Sequence, residues 1–225
     1  MGCILKGGGG LYARLVVGGV LLAAGPGSRM GGRPKCLLEL GGVPLIRRQL
    51  IALSGAGVDE VVVVLGHHAE AIEPVVQDFP VTLVRNPDPD AGLVSSQRLG
   101  LAALAGRLDA VVVALADMPL VQAQDITALI GAYKKRPEGT SVVVPFHAGE
   151  PGNPVVFSAE VRERILAGEA NVGCREWRAA HPEALHRFET DIRRFRVDLD
   201  TPEDLERFTR ETGHALKWPA ALATA

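Results

Sequence analysis

Two short stretches concentrate the residues that can do chemistry. The first is Leu22-Ala23-Ala24-Gly25-Pro26-Gly27-Ser28-Arg29-Met30-Gly31-Gly32-Arg33-Pro34-Lys35. Its glycines let the backbone adopt positive φ and turn amides toward an anion. Arg29 offers a planar fork for phosphate and Lys35 a mobile point charge. With the loop amides they suit a triphosphate and the charge that builds on a leaving pyrophosphate. The plainer alternative is a glycine-rich turn with solvated basic side chains. Neither common nucleotide motif explains the loop: GxGxxG lacks its third glycine at Met30, and the P-loop pattern fails because Lys35 lies between Pro34 and Cys36. The second stretch is Leu115-Ala116-Asp117-Met118-Pro119, where an apolar run delivers one carboxylate at its carboxyl end. Asp117 suits Mg²⁺ held between nucleotide phosphates, an ion that keeps few protein ligands. Its alternative is to cap a helix beginning near Gln122.

Other candidates come with two readings each. Asp198 and Asp200 lie two apart along an expected strand, so they share a face. Either is a second metal ligand, and Asp200 is equally placed to cap the helix Thr201–Phe208. Ser95 and Ser96 stand at a helix start, where capping accounts for one of them at most; the other meets the base or the second substrate. Asn86 opens the turn-rich loop Asn86-Pro87-Asp88-Pro89-Asp90. His67 and His68 follow a strand end and point apart, with no third ligand spaced for zinc. One of them is a nucleobase or loop contact, the alternative being a surface role. Cys36 reads as packing. Arg193-Arg194-Phe195-Arg196 is either an anion site or a solvated strand edge.

The elements that must position these residues alternate. Unbroken apolar runs at Leu15–Leu22, Asp59–Leu65, Val81–Val84, Ala110–Leu115 and Ser141–Val144 suit a sheet covered on both faces. Helical spacing predicts helices over Pro44–Ala56, Ala69–Gln77, Ser95–Ala105, Gln122–Tyr133, Ala159–Ala167 and Cys174–Ala180. A Thr-Pro-Glu-Asp start marks the helix Thr201–Phe208. Short strands are expected at Val155–Phe157 and Phe195–Leu199. This alternation implies an α/β, doubly wound, mostly parallel sheet, with ligands beyond the carboxyl ends of its strands.

The 225 residues carry a net charge of −2, which gives no global field for nucleic acid or membrane. Apolar residues make up 47%, enough for one ordinary domain. We expect a flexible leader at residues 1–13, a single domain at 14–211, and a frayed or partner-bound tail at 212–225. Within the domain, 14–120 reads as the nucleotide half and 121–211 as the acceptor half. The three scattered cysteines, Cys3, Cys36 and Cys174, suit free thiols in a reducing, cytoplasmic setting. The run Leu15–Ala24 mimics a signal-peptide core, but it is valine-rich and ends in the glycine loop, as a buried strand would.

LAAGPGSRMGGRPK resembles the signature of nucleotidyltransferases of the molybdopterin-type superfamily, written LAxGxxxRMGxxK. Leu115-Ala116-Asp117-Met118-Pro119 is similar to that family's aspartate segment, and Gly92-Leu93-Val94-Ser95-Ser96 to the serine turn of its molybdenum-cofactor cytidylyltransferases. Gly152-Asn153-Pro154-Val155-Val156-Phe157 resembles their GHPVLF strand, with Asn153 in place of histidine. Asp198-Leu199-Asp200-Thr201-Pro202-Glu203-Asp204-Leu205 resembles their DIDTPEDL ending. The five pieces keep the family's order across residues 15–208.

The resemblance implies a Rossmann-like nucleotidyltransferase fold, with Arg29, Lys35 and Asp117 catalytic. It implies Mg²⁺ on Asp117 with Asp198 or Asp200, and nucleotide contacts from Leu22, Ala23, Ala24, Gly25, Gly27, Arg29, Lys35, His67, Asn86, Ser95 and Ser96. It further implies CTP as donor, a molybdopterin acceptor, and a molybdoenzyme or its chaperone as partner. Leu-Ala-Ala-Gly at 22–25 and the serine turn favour the cytidylyl branch, whereas five steps from Met30 to Lys35 are a guanylyl trait. The alternatives are GTP as donor, a sugar-phosphate acceptor, or a non-catalytic nucleotide sensor or delivery chaperone.

Overall fold

Valine, leucine and glycine from 17 to 23 form β1 (Val17–Ala23), buried along its whole length. A strand with helices on both faces has to be apolar on both. It is the first element of a computed structural model that describes residues 14–223, so the leader expected at 1–13, with Cys3, lies outside the described residues. Short strands β2 (Glu39–Leu40) and β3 (Val43–Pro44) follow the glycine loop. Then come α1 (Leu45–Gly55), β4 (Glu60–Leu65), α2 (Ala69–Val76), β5 (Thr82–Arg85), α3 (Leu93–Ala103) and β6 (Ala110–Leu115). The second half holds α4 (Ala123–Lys134), β7 (Val142–His147), β8 (Glu150–Pro151), β9 (Val155–Ser158), α5 (Ala159–Ala167) and α6 (Cys174–Ala180). It ends with β10 (Leu185–Glu189), α7 (Pro202–Thr212) and β11 (Leu216–Lys217).

The main sheet runs β10-β7-β9-β6-β1-β4-β5, with β8 on β7. Its pairs are parallel at β1–β4, β1–β6, β4–β5 and β7–β10, while β9 is antiparallel to both β6 and β7. The chain moves outward from β1 through β4 to β5, then returns to lay β6 on the other side of β1. Strand order therefore reverses between β1 and β6, the crevice where sheets of this kind bind ligands.

Alternating side chains divide the burial between two faces. Leu21, Val63 and Val112 pack on Ile46, Ile72 and Leu129 of α1, α2 and α4. Val20, Val64 and Val111 pack on Leu101, Ile165 and Trp177 of α3, α5 and α6. A third, smaller core joins Met30 of the glycine loop to Leu38, Leu45, Leu199 and Phe208, with Leu216 and Trp218 packed against it. Within the run Leu15–Ala24, residues 17–24 are thus interior strand and loop, and Val16 is exposed.

Four expectations need correction. No strand spans Phe195–Leu199: residues 193–196 make a 3-10 turn, held by the Arg194–Asp125 pair and by the Phe195 carbonyl, which accepts from the Asn153 amide at 2.8 Å. Asp198 and Asp200 consequently do not share a strand face. The edge strand lies earlier, at β10, whose alternation of half-buried and exposed residues is too shallow to stand out in the sequence. The Arg193–Arg196 cluster is solvated at Arg193 and Arg196 but lies on the 3-10 turn and not on a strand edge, and Arg194 grips Asp125 with two bonds of 2.9 and 2.7 Å. Finally, the tail is not frayed where it meets the loop: Leu216 pairs with Leu40 and Lys217 with Glu39.

Candidate active site

At the carboxyl ends of β1 and β6 a cavity of about 330 Å³ opens. One wall is the backbone of Leu22–Pro26, leaving β1; the opposite wall is Leu115, Ala116 and Asp117, leaving β6. Gly92, Leu93 and Ser96 at the start of α3 form the third side, and Lys35 and Cys36 the floor. The loop closes on itself through Met30 and Gly32 amides that both donate to the Gly27 carbonyl, at 2.8 and 3.0 Å. Gly27 sits at φ 64°, and a Cβ there would lie 1.9 Å from the Arg33 carbonyl oxygen, so the closed arch admits only glycine.

Lys35 is the electrostatic centre. Its Nζ donates to Asp117 Oδ2 at 2.6 Å and to Asp200 Oδ1 at 2.7 Å, while Arg29 holds the other oxygen of Asp200 at 2.7 Å. Burial works to lower the Lys35 pKa, but the charges and hydrogen bonds of Asp117 and Asp200 outweigh it and hold the ammonium above its ordinary value. For Asp200, burial pushes upward and the pairing with Lys35 and Arg29 wins, leaving its carboxyl below the usual range. Asp198 is exposed as a residue, yet the protein around its carboxyl, and then the charges of Asp200 and Asp117, push it above that range.

Three carboxylates therefore share one neighbourhood that already attracts a cation. An oxygen-only donor set suits Mg²⁺, which takes one or two protein carboxylates and completes its shell with phosphate and water. Among the described residues no group of three or more His, Cys, Asp or Glu side chains is gathered closely enough to hold a metal alone.

Neither aspartate is spent on capping. Asp125 and Gln122 cap α4, which frees Asp117. Thr201 and Asp204 make a capping box on α7, with the Asp200 amide bonded to Asp204 at 2.8 Å, which leaves the Asp200 carboxylate facing Lys35. The serines do not cap either, because α3 begins earlier than expected, after Gly92. Instead the Asn86 amide nitrogen donates to Ser95 at 3.1 Å and to Ser96 at 3.0 Å, tying the loop after β5 to α3.

Of the expected nucleotide contacts, Leu22, Ala23, Ala24, Gly25, Lys35 and Ser96 line the cavity, as does Asp117. Arg29 stands at the rim, mostly exposed. Asn86 and Ser95 lie one bond behind the wall. His67 lies behind Ala24, with Nδ1 3.1 Å from the Ala24 carbonyl and Nε2 2.8 Å from Asp90. His68 bonds the Pro26 carbonyl at 2.9 Å. Cys36 is buried, and burial, with Asp117 nearby, pushes its thiol up to about 12, so it packs as a neutral group.

The sequence reading missed Leu93, Asp90 and Asp125. Leu93 is 55% exposed at the cavity mouth; its place beside the serine pair was the available signal. Asp125 stands at the third position of α4, the position of a capping carboxylate. Nothing in the sequence pairs Asp90 with His67.

A glycine-rich loop, a Lys-Asp-Asp cluster and a cavity at the switch point of a mostly parallel sheet make up the fold and site of a nucleotidyltransferase domain. The sequence profile described as "MobA-like NTP transferase domain" matches residues 19–185, and the chain belongs to that family. Nicotine blue oxidoreductase of Paenarthrobacter nicotinovorans is 31% identical over 199 residues, covering 85% of this chain and 95% of its own. The bifunctional protein GlmU of Kineococcus radiotolerans is 35% identical over 136 residues, and the match spans 59% of this chain but only 28% of that protein. Among solved structures, a nucleotidyl transferase from Methanothermobacter thermautotroptrophicus superposes with a TM-score of 0.69 at 27% identity, covering 87% and 97% of the two chains. Rv0371c of Mycobacterium tuberculosis gives 0.72 at 25%, covering 87% and 98%; a manganese complex of that protein gives 0.68 at 24%, covering 88% and 100%.

Proposed function

We propose that the chain transfers a nucleoside monophosphate, CMP from CTP, to a phosphorylated acceptor of the molybdopterin type and releases pyrophosphate. The observation that carries this reading is Lys35 held between Asp117 and Asp200 at the mouth of a glycine-loop cavity. In this reading residues 14–120 bind the triphosphate and residues 121–211 the acceptor. Leu-Ala-Ala-Gly at 22–25 and the Ser95-Ser96 turn favour cytosine as the base.

The acceptor phosphate oxygen attacks the α-phosphorus, a new P–O bond forms, and the α–β bridging bond breaks as pyrophosphate leaves. A phosphate monoester is already ionised near neutral pH, so no general base is needed. The loop amides and Lys35 align the triphosphate and neutralise the charge that develops on the leaving group. Arg29 swings from Asp200 to the outgoing phosphates. Asp117 and Asp200 are the residues that would hold Mg²⁺, with Asp198 beside them. When bound there, that ion would neutralise negative charge developing in the transition state.

The testing experiment is pyrophosphate release with Mg²⁺ and CTP, GTP, ATP or UTP separately, with and without molybdopterin. Release that requires CTP and molybdopterin together supports the proposal. Release with GTP moves the chain to the guanylyl branch, and release with a sugar phosphate replaces the acceptor. A second reading comes from the relative in P. nicotinovorans, whose name is that of an oxidoreductase and which matches along 95% of its length. Silence with all four triphosphates, whether molybdopterin or a sugar phosphate is the acceptor, overturns the transferase proposal and makes that reading the next to test.

A further inference from the structure

The loop carries three basic residues, and they part company. Arg29 and Lys35 turn to Asp200, while Arg33 turns to the tail. Its Nε donates to the Met30 carbonyl at 3.1 Å, its Nη1 to the Leu222 carbonyl at 3.4 Å, and its guanidinium lies 4.3 Å from the centre of the Trp218 ring. The backbone of Arg33 is also the abutment of the arch, since its carbonyl occupies the space a Gly27 side chain would need. Whatever fixes Arg33 therefore fixes residues 27–33. Trp218 is itself anchored, because Leu216 and Lys217 pair with β2, only four residues beyond Lys35. The same small core takes in Leu199, the neighbour of Asp200.

We infer that Arg33 and Trp218 are positioning residues, and that residues 216–222 form a strap that keeps the glycine loop in its binding shape. The loop between Gly25 and Pro34 belongs to no strand ladder, and a single 3-10 turn is its only regular element. Segments with so few backbone bonds open locally at little cost. The strap supplies what secondary structure does not, a cation–π contact and a carbonyl acceptor on the face away from the substrate. The inference takes the loop as the triphosphate site and so rests on the proposed function.

Hydrogen exchange followed by mass spectrometry, on the full chain without ligand, tests the strap directly. We expect amides of residues 27–35 to exchange faster in Trp218→Ala and Arg33→Ala, β4 and β6 to keep wild-type rates, and Trp218→Phe to restore the loop. Calorimetry with Mg·CTP and Mg·GTP, well below the unfolding temperature, then gives affinities about five- to tenfold weaker in Trp218→Ala, the size of one partly exposed cation–π contact. The double variant should be no weaker than either single one. Loop exchange at the wild-type rate, or acceleration spread over the whole sheet, overturns the inference, as does wild-type affinity in Trp218→Ala. If the wild-type chain binds neither triphosphate, the proposed function falls and the exchange measurement still decides the strap.

Discussion

Asp117 and His67 show how differently two side chains at strand ends serve one cavity. Asp117 shares Lys35 with Asp200 and faces the cavity. Replacing it by alanine removes the counter-charge of Lys35 and, on the proposed function, an oxygen that would hold Mg²⁺. We expect Asp117→Ala to lower turnover at least about a hundredfold, the scale of losing one electrostatic group in a transition state. Its circular dichroism and unfolding midpoint should stay near wild type, because Asp117 caps no helix. His67 works through the loop backbone. Both acceptors that it meets, the Ala24 carbonyl and then the Asp90 carboxylate, require a ring N–H, and they raise its pKa above 6.5. The stabilisation is complete below that value and is lost as pH rises through the raised, folded-state pKa. An NMR titration of the imidazole should show the upward shift, and Asp90→Asn should reduce it. A midpoint at or below 6.5 in the wild type would contradict the pairing.

At the scale of elements, the site depends on how α4 is tied to the turn at 193–196. The Asp125 side chain is 0% exposed, bonded twice by Arg194 and once by the Gln122 amide. That bond set holds the segment leading to Asp200 against the segment that follows Asp117. Asp125→Ala removes the cap on α4 and the bonds to Arg194, whose side chain is 35% exposed and regains water, so it should cost about 1–2 kcal/mol in chemical denaturation. Much of this level was legible in the sequence. The unbroken valine runs announced β1, β4 and β6, since only an interior strand tolerates apolar residues on both faces. Thr201-Pro202-Glu203-Asp204 announced the start of α7 through its capping chemistry. The start of α3 was misplaced because Gly92 and Leu93 carry no capping side chain. The turn at 193–196 was hidden because a long-range partner, Asp125, decides it, and no local pattern encodes a partner about seventy residues away.

For the whole molecule, the candidate site is a meeting of distant segments: residues 22–36, 92–96, 115–117 and 198–200. The glycine loop and Asp117 could be placed at the cavity in advance because each lies within one strand-to-loop transition. The Lys35–Asp200 pair could not, because tertiary packing through Met30 and Leu199 creates it. A ligand that bridges such segments stabilises the fold by mass action. At a hundredfold excess over its Kd, Mg·CTP should add about 2.7 kcal/mol. For a chain of this size that corresponds to a rise of roughly 5–10 °C in the unfolding midpoint. Thermal scans should show this rise in the wild type and a much smaller one in Lys35→Ala.

The antiparallel strand β9 sits between β6 and β7, although it follows both in the chain. On a ribosome, which extends the chain from its amino end, β6 and β7 emerge with a vacant slot between them. The slot fills only when residues 155–158 arrive, and the glycine loop meets Asp200 and Trp218 later still. A nascent chain halted before residue 198 would carry the signature loop without Asp200, which pairs with Arg29 and Lys35, and without Trp218, which stacks on Arg33.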